Sequence, residues 1–503
     1  MQNNTASSNY TSEMHVLGID LGTSGVKVVL VDASQNIIDQ ATAPLTVSRP
    51  HPLWSEQNPE DWIKATDAAV AELRGRRSKE FASVKAIGLS GQMHGATMLA
   101  RGDKVLRPAI LWNDGRSGEE CAELEKRVAT SRKITGNLAM PGFTAPKVLW
   151  TAKHEPQIFS QIEKVLLPKD YLRLRITGDY ASEMSDAAGT LWLDVGRRAW
   201  SEEMVQATGL KMSAMPKLYE GSQVTGTLRK ETASAWGLPD GVIVAGGAGD
   251  NAAGAAGMGV VRPGEAFLSL GTSGVYFVSA AEYSANPESA VHTFCHCLPG
   301  VWHQMSVILS AASCLSWAVQ ATGAKDEVSL LAEAQACKPG EDVPIFLPYL
   351  SGERTPHNNP LAKGAFFGIT HGTTRGAMGR AVLEGVAFAF RDGQHALQGA
   401  KADIKEVSVI GGGARSSLWG EILASVLRRP LLYRKGGELG PAFGAARLAL
   451  LAQSGAAPET VCTAPAIDHV VEPNGDWAEY YNKKIATYRA LYLDLKPHFA
   501  AMV

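Results

Sequence analysis

The chain has 503 residues, which exceeds the size at which one hydrophobic core stops growing, so two domains are expected. Apolar residues make up 45% and charged residues 19%, which excludes a largely disordered chain. At a formal net charge of −2, the only compact basic run is residues 74–79, which is typical of a solvated helix end, so no nucleic-acid partner is expected. No window approaches twenty apolar residues, and we therefore expect no membrane span.

The cysteines and the first residues indicate a compartment. The six cysteines form no CxxC pair, which favours reduced thiols and a cytoplasmic protein. The first dozen residues, MQNNTASSNYTS, lack the basic start and apolar stretch of a secretory signal. This segment is predicted to be a disordered tail.

The most informative feature is a glycine-rich segment that occurs twice. LGTSGV at residues 21–26 recurs letter for letter at residues 270–275, and each copy lies between two short apolar runs. That pattern predicts a strand, a glycine turn and a second strand. Residues 84–91 and 404–411 are a second similar pair, each a buried strand that runs into small residues. The chain is therefore predicted to contain two related halves.

Helical patterns alternate with these strands. Residues 59–73 follow Asn58, a plausible N-cap, and begin with a proline, while further helices are predicted at 374–397, near 418 and at 477–495. Strands alternating with helices predict an α/β fold. Glycines and a proline at 254–263 suggest the domain boundary, which gives an N-terminal domain at 14–258 and a C-terminal domain at 259–496.

The repeated hairpins point to a nucleotide. Hydroxyl side chains beside glycines leave backbone N–H groups open to oxygen-rich anions, of which phosphate is the natural one. One such hairpin is ordinary turn chemistry, but two identical copies favour a triphosphate held from both sides of an interdomain cleft. The segment GGGARS at 411–416 would admit a base or ribose, or is simply a helix entry. The chain has neither the GxGxxG order nor GxxxxGK[ST], so neither a Rossmann nor a P-loop site is supported.

Two carboxylates fit phosphoryl transfer. Asp20 stands directly before the first hairpin, where it can hold Mg²⁺ through water, although an aspartate that merely starts the turn fits equally. Asp250 lies among very small residues after an apolar run and is the candidate general base. The alternative is that Asp250 caps the helix that follows.

Polar groups suited to sugar hydroxyls follow the strand at 84–91. Gln92 offers a neutral amide and His94 an imidazole, and residues 112–116 offer more such groups, although Asp114 and Arg116 could simply pair. The run HTFCHC at 292–297 lacks the spaced second ligand pair of a zinc site. The charged pair within residues 351–356 is expected to form a salt-bridged loop.

Taken together, these motifs resemble the FGGY carbohydrate kinases of the hexokinase and actin superfamily. The resemblance covers nearly the whole chain and rests on residues 18–27, 91–94, 111–115, 140–147, 249–251, 351–357 and 411–414. It implies two ribonuclease-H-like domains and transfer of phosphate from ATP, with Mg²⁺, to a ketose, with D-xylulose as the expected substrate. A homodimer is a possible assembly.

The resemblance also implies residue roles. It makes Asp250 the proton acceptor and Asp20 the residue for metal and phosphate. The ketose is expected to contact Met93, His94, Asp250, Asn251 and Trp112. The residues expected along the nucleotide are Gly22, Thr23, Ser24, Lys27, Gly271, Thr272, Ser273, Gly412, Gly413 and Ala414.

Three other functions stay open. A related kinase could act on ribulose, gluconate or a deoxy sugar, because a few hydrogen bonds decide selectivity in such pockets. An actin-like ATPase could instead move a partner or assemble into filaments. A sugar sensor without catalysis is disfavoured because both hairpins and Asp250 are intact.

Overall fold

The computed structural model describes residues 14–340, 342–435 and 440–502. The tail predicted for the first dozen residues lies outside this part of the chain. The chain forms two compact units, the first from described residues within 1–261, 294–302 and 439–464, and the second from those within 262–293, 303–438 and 465–503. Segments after residue 258 thus pack with the first unit, and the bounds 14–258 and 259–496 stay a prediction.

The strands follow in chain order. They are β1 (His15–Leu21), β2 (Gly25–Asp32), β3 (Ile37–Pro44), β4 (Glu56–Gln57), β5 (Val84–Gly91), β6 (Thr97–Leu99), β7 (Ala109–Ile110), β8 (Lys164–Leu166), β9 (Ala181–Glu183), β10 (Leu193–Asp194), β11 (Ala199–Trp200), β12 (Lys217–Tyr219), β13 (Val224–Thr227), β14 (Ile243–Ala245), β15 (Ala248–Gly249), β16 (Glu265–Leu270), β17 (Gly274–Ala280), β18 (His292–Cys295), β19 (Trp302–Ile308), β20 (Ile345–Leu347), β21 (Ala365–Phe367), β22 (Glu406–Ile410), β23 (Leu431–Arg434) and β24 (Ile467–Val471).

The α-helices are α1 (Pro59–Arg76), α2 (Ser78–Phe81), α3 (Gly118–Arg127), α4 (Ser131–Thr135), α5 (Thr144–His154), α6 (Pro156–Phe159), α7 (Pro168–Thr177), α8 (Met184–Ala188), α9 (Glu202–Ala207), α10 (Lys230–Trp236), α11 (Asp250–Met258), α12 (Ala312–Thr322), α13 (Glu327–Ala336), α14 (Arg375–Gly399), α15 (Ser417–Leu427), α16 (Pro441–Ser454), α17 (Pro458–Val461) and α18 (Gly475–Phe499). Among the described helices, none is both long and apolar enough to cross a membrane.

The first unit is built on a mixed sheet. Its strand order is β13-β14-β5-β1-β2-β3, and β15 also pairs with β5. β1 runs parallel to β5 and antiparallel to β2, as the first hairpin predicted. α16 lies against β1 and β5, and α11 against α16. A Cβ at Gly88 of β5 would overlap the carbonyl oxygen of Ala445, so this close approach of helix and sheet requires glycine.

The second unit repeats the same core. Its sheet has the order β18-β19-β17-β16-β22-β23-β24. β16 is antiparallel to β17 and parallel to β22, the pattern of β1 with β2 and β5. The 25-residue helix α14 is mostly buried beside this sheet. The two related halves predicted from the repeated segments are therefore confirmed at the level of strand pairing.

The predicted helices are present, with ends set by their caps. Asn58 accepts a hydrogen bond from the N–H of Glu60 at the start of α1. Thr374 caps α14 in the same way. The last helix begins two residues earlier than predicted, because Asn474 accepts a hydrogen bond from the N–H of Trp477.

Candidate functional site

Three parallel strands of the first unit end together. Asp20 of β1 is paired with Ser90 of β5, and on the other side of β5 Ala248 is paired with Ser90 and Gly249 with Gly91. α11 starts at the next residue, Asp250. Strand register therefore brings the two predicted carboxylates to one edge of the sheet, on either side of the end of β5.

Asp20 lies in an electrostatically unfavourable place. Burial, followed by the nearby charge of Asp250, raises the pKa of its carboxyl to about 7, although Ser90 and Lys27 partly offset this rise. Lys27 is directly opposite Asp20 in the antiparallel pair of β1 and β2. The Oδ1 atom of Asp20 is buried and accepts no hydrogen bond. A carboxylate of this kind is suited to a cation.

Asp250 is the first residue of α11, and the residue that caps this helix is Gly249. Asp250 is therefore not the N-cap residue, but its side chain does bond an N–H of the first helical turn, as the capping alternative expected. Its Oδ1 accepts hydrogen bonds from the backbone N–H of Asn251, at 2.7 Å, and from the Asn251 side-chain amide, at 2.9 Å. Burial raises the pKa of Asp250 to about 6, against the lowering effect of these bonds. Such a group is ionised at neutral pH and still basic enough to accept a proton.

Met93 and His94 follow β5 directly. Met93 packs on the backbone next to Asp250, where a Cβ on Gly249 would lie 2.9 Å from the Met93 Cγ. His94 has a φ of 70°, which is unusual for a residue other than glycine. Its Nδ1 is 2.6 Å from the carbonyl oxygen of Gly189, which can only accept, so Nδ1 carries the hydrogen. In the neutral ring Nε2 is then an acceptor.

The backbone of His94 is held by two side chains that sequence reasoning assigned no role. The carbonyl oxygen of His94 accepts from Thr144 Oγ1 and from Lys147 Nζ, both at 3.0 Å. Lys147 is wholly buried, which lowers its pKa well below the usual value. Both residues belong to the quoted motif at 140–147, and a lysine on the buried face of α5 was the signal that could have identified this support.

The first hairpin is joined to two neighbouring residues. Thr23 Oγ1 donates to Gln92 Oε1 at 3.0 Å and accepts from the indole N–H of Trp112 at 2.9 Å. The Gln92 amide nitrogen donates to Gln57. Gln92 is thus buried and bonded within the protein, and the expectation that its amide bonds sugar hydroxyls is not supported. Trp112 is fixed by its N–H yet 45% exposed, so an apolar ring face is available to a ligand.

The next residues divide into a structural pair and a polar group without a partner. Arg116 and Asp114 form a buried ion pair at 2.7 Å, as the simpler interpretation expected. The Asn113 Oδ1 atom is buried and accepts no hydrogen bond. A buried acceptor of this kind is costly unless a ligand satisfies it.

In the second unit, the structure brings the hairpin and the glycine-rich loop together. Gly411, with a φ of 94°, packs on Leu270, and Gly413 lies against the Leu270 side chain. Thr272 and Ser273 are exposed, while the Thr272 carbonyl oxygen accepts from the N–H of Ala311 at 2.9 Å. The loop borders a cavity of about 780 Å³ whose lining includes Ala414, Arg415, Tyr433 and His469.

The charged residues of the loop at 351–357 do not pair with each other as expected. The carboxylate of Glu353 accepts from the backbone N–H groups of Leu309, at 3.0 Å, and Arg354, at 2.8 Å, while the Arg354 guanidinium lies 3.3 Å from His292 Nε2. The expected salt-bridged loop is therefore wrong. No group of three or more His, Cys, Asp or Glu side chains that could hold a metal occurs in the described part of the chain.

Comparison with known proteins decides the family. Residues 15–257 match the N-terminal domain of the FGGY family of carbohydrate kinases, and residues 266–453 match its C-terminal domain. The chain belongs to the FGGY family of carbohydrate kinases. A xylulose kinase of Escherichia coli (strain K12) is 54% identical over 488 residues, which cover 96% of this chain and 100% of the relative.

Solved structures agree with this assignment. The crystal structure of a xyloylose kinase from Brucella ovis is 54% identical, with a TM-score of 0.93, and the match covers 96% of this FGGY chain and 99% of that chain. The crystal structure of a xylulose kinase from Rhodospirillum rubrum is 30% identical, with a TM-score of 0.91. The match covers 97% of this chain and 100% of that chain. The expected α/β class and the actin- and hexokinase-type ATPase fold are confirmed, whereas the cleft between the domains stays a prediction.

Proposed function

We propose that this carbohydrate kinase transfers the terminal phosphoryl group of ATP to D-xylulose, giving ADP and D-xylulose 5-phosphate. The observation that carries the choice of sugar is the 54% identity to the Escherichia coli xylulose kinase over the full length of that relative. A xylulose kinase of Klebsiella pneumoniae, 53% identical over 99% of its length, gives the same support. Selectivity among ketoses depends on the whole pocket, so similarity along the entire chain is the appropriate support.

Asp250 is proposed to be the general base. One of its oxygens is fixed by Asn251, which leaves the other to accept the proton of the attacking hydroxyl. Removing that proton as the oxygen attacks makes the hydroxyl a better nucleophile. The raised pKa of Asp250 suits this role, because the group gains proton affinity without losing its charge at neutral pH.

Mg²⁺ is proposed to lie at Asp20. The fit rests on the buried Oδ1 atom that accepts no hydrogen bond and on the repulsion between Asp20 and Asp250, both of which a divalent cation would relieve. When bound, the ion supplies neutralisation of charge on the phosphate oxygens. Because the described residues offer no cluster of three ligands, Asp20 would hold the ion through water and phosphate.

The remaining roles are proposed for each unit by itself. In the first unit, Met93, His94, Asn251 and Trp112 are proposed to bind the sugar, with His94 Nε2 accepting from a hydroxyl. Gly22, Thr23, Ser24 and Lys27 are proposed to bind phosphate. In the second unit, the nucleotide is proposed to lie along Gly271, Thr272, Ser273, Gly412, Gly413 and Ala414.

An assay of ADP formation tests this proposal. Wild-type enzyme with Mg²⁺ and ATP is expected to form ADP with D-xylulose much faster than with ribulose, gluconate or a deoxy sugar. ADP formation that is independent of sugar would instead favour an actin-like ATPase, and equal rates with another sugar would contradict the choice of substrate.

The variant D250N tests the base. It is expected to lower kcat by about 10²-fold or more, with little change in the KM for ATP, because the attacking hydroxyl loses its proton acceptor. The matched control is D403N, which makes the same chemical change at an exposed carboxylate and is expected to turn over normally. Near-normal turnover in D250N would remove Asp250 from the mechanism.

We also propose a cytoplasmic location, which the six cysteines support because none of them forms a disulfide. The homodimer stays a prediction, and the molar mass in solution would test it.

A further inference from the structure

Asp250 is attached to a strand of only two residues. β15 pairs with β5 through Ala248 and Gly249, and α11 begins immediately afterwards. So short a strand has few ladder hydrogen bonds with which to fix its position. The backbone N–H of Gly249 instead donates to the side-chain oxygen of Ser185, at 3.0 Å, in a buried environment. Ser185 is thus the side chain that holds the residue directly before Asp250.

Ser185 is itself oriented by Glu183. The Ser185 hydroxyl is 2.9 Å from both carboxylate oxygens of Glu183, which can only accept when ionised, so the hydroxyl must donate to Glu183 and accept from Gly249. Glu183 is fixed in turn, because it accepts the backbone N–H groups of Ser185, at 2.7 Å, and Asp186, at 2.8 Å, at the start of α8. The hydroxyl therefore has one available direction for its hydrogen.

Glu183 is also held on its other side by a buried charge. Lys169 Nζ lies 3.5 Å from Glu183 Oε1, 2.8 Å from Asp170 Oδ1 and 2.9 Å from Asp186 Oδ2, and all four side chains are fully buried. Displacing Glu183 would break its two backbone hydrogen bonds and its contact with Lys169 in a place without water to replace them. These contacts restrain Glu183, and Ser185 connects Glu183 to the backbone of Gly249.

We propose that Ser185, locked by Glu183, is a positioning residue for catalysis, which sets the place of the Asp250 carboxylate through the backbone N–H of Gly249. Ser185 touches neither reactant and acts only through Asp250. Loss of its hydroxyl leaves a buried N–H without an acceptor and frees β15 and the first turn of α11 to shift. A displacement of about 1 Å at a reacting group can cost about 10²-fold in rate. This inference rests on the proposed role of Asp250 as general base.

The experiment compares S185T with S185V. Threonine and valine are both β-branched and nearly the same size, so both variants add similar bulk at position 185, but only threonine keeps the hydroxyl. We expect kcat with D-xylulose to be about tenfold or more higher in S185T than in S185V, with the KM for ATP equal within about twofold. S182A is the control, because Ser182 is an equally buried serine one residue before Glu183 whose hydroxyl has no hydrogen bond. It is expected to turn over like the wild type.

The kcat values of S185T and S185V are then measured again in proteins that also carry D250N. If Ser185 acts through Asp250, the difference between threonine and valine falls below about twofold once the carboxylate is gone, because residues that act as a unit are not additive. Equal kcat values in S185T and S185V, or an unchanged ratio in the D250N background, would overturn the inference. If D250N itself turns over normally, the proposed base is wrong. If D250N is slow and the serine pair shows no difference, only the role of Ser185 is wrong.

Discussion

Residues 21–26 and 270–275 have the same six letters and different surroundings. Each forms the turn between an antiparallel pair whose first strand also runs parallel to a later strand. The first copy follows Asp20, whereas the second follows Ser269. The Thr23 hydroxyl is bonded to Gln92 and Trp112, whereas Thr272 is exposed and is held through its backbone carbonyl oxygen.

The two copies therefore share the backbone of the turn and differ in the side chains around it. The glycine turn is proposed to offer backbone N–H groups to phosphate in both units, although that of Gly22 already donates to the carbonyl oxygen of Gly25 at 3.0 Å. Only the first copy has a buried carboxylate before it and a second carboxylate across the neighbouring strand. We therefore propose that the repeated segment binds phosphate in both units, and that the residue before it decides which unit carries the proton and metal chemistry.

The largest expected effect comes from replacing, one at a time, the residues that precede the two hairpins, Asp20 and Ser269. D20N is expected to lower kcat by about 10²-fold or more, because the carboxylate proposed to face metal and phosphate is lost. S269A, the equivalent change in the second unit, is expected to leave kcat within about twofold. Initial rates at several Mg²⁺ concentrations measure both, and D20N should also need more Mg²⁺. Comparable losses in the two variants would contradict the difference drawn between the hairpins.

A smaller effect is expected from the two threonines. T23V leaves the Trp112 N–H and the Gln92 amide without their partner, which should destabilise the protein by about 1–3 kcal/mol and raise the KM for the sugar. T272V removes an exposed hydroxyl, so the melting temperature should stay unchanged while the KM for ATP rises. Thermal unfolding and the two KM values check these outcomes. If only T272V lowered the melting temperature, the Thr272 hydroxyl would be the structural one and the Thr23 hydroxyl would not.

The hairpins, the helices and the two carboxylates could be predicted because each depends on a short stretch of sequence. Asn58 before Pro59 determines the start of α1 locally, and Asp20 adjoins its own hairpin. The supports of the site could not be predicted in this way. Lys147 reaches the carbonyl oxygen of His94 across 53 positions, and Ser185 reaches Gly249 across 64, so only the folded chain brings these pairs together.

Gln92 shows the opposite failure. Its residue type suits a sugar hydroxyl, but whether an amide is available depends on what the rest of the fold already bonds to it. In the structure, Gln92 is 2% exposed, and its side chain is bonded to Thr23 and Gln57. Residue type and spacing can therefore nominate a side chain for a site, but they do not show whether the fold leaves that side chain accessible to a ligand.

The smallest expected effect concerns stability, and it follows from the carboxylates that only the first hairpin has nearby. Burial raises the pKa of Asp250 in the folded protein to about 6, above the ordinary value of an aspartate, so the folded state binds the proton more tightly than the unfolded state. Folding is then least favoured where this group must be ionised. The penalty grows as the pH rises from about 4 to about 6 and is constant above that range.

D250N removes this penalty, because an amide carries no charge at any of these pH values. Without sugar or nucleotide, the variant is expected to melt a few degrees above the wild type at pH 8 and to lose most of that advantage near pH 4.5. D403N, at an exposed position, should match the wild type at both pH values. A melting temperature for D250N below that of the wild type at pH 8 would mean that the carboxylate stabilises the fold. The burial penalty inferred for Asp250 would then be wrong, while the kcat of D250N would still decide whether Asp250 is the base.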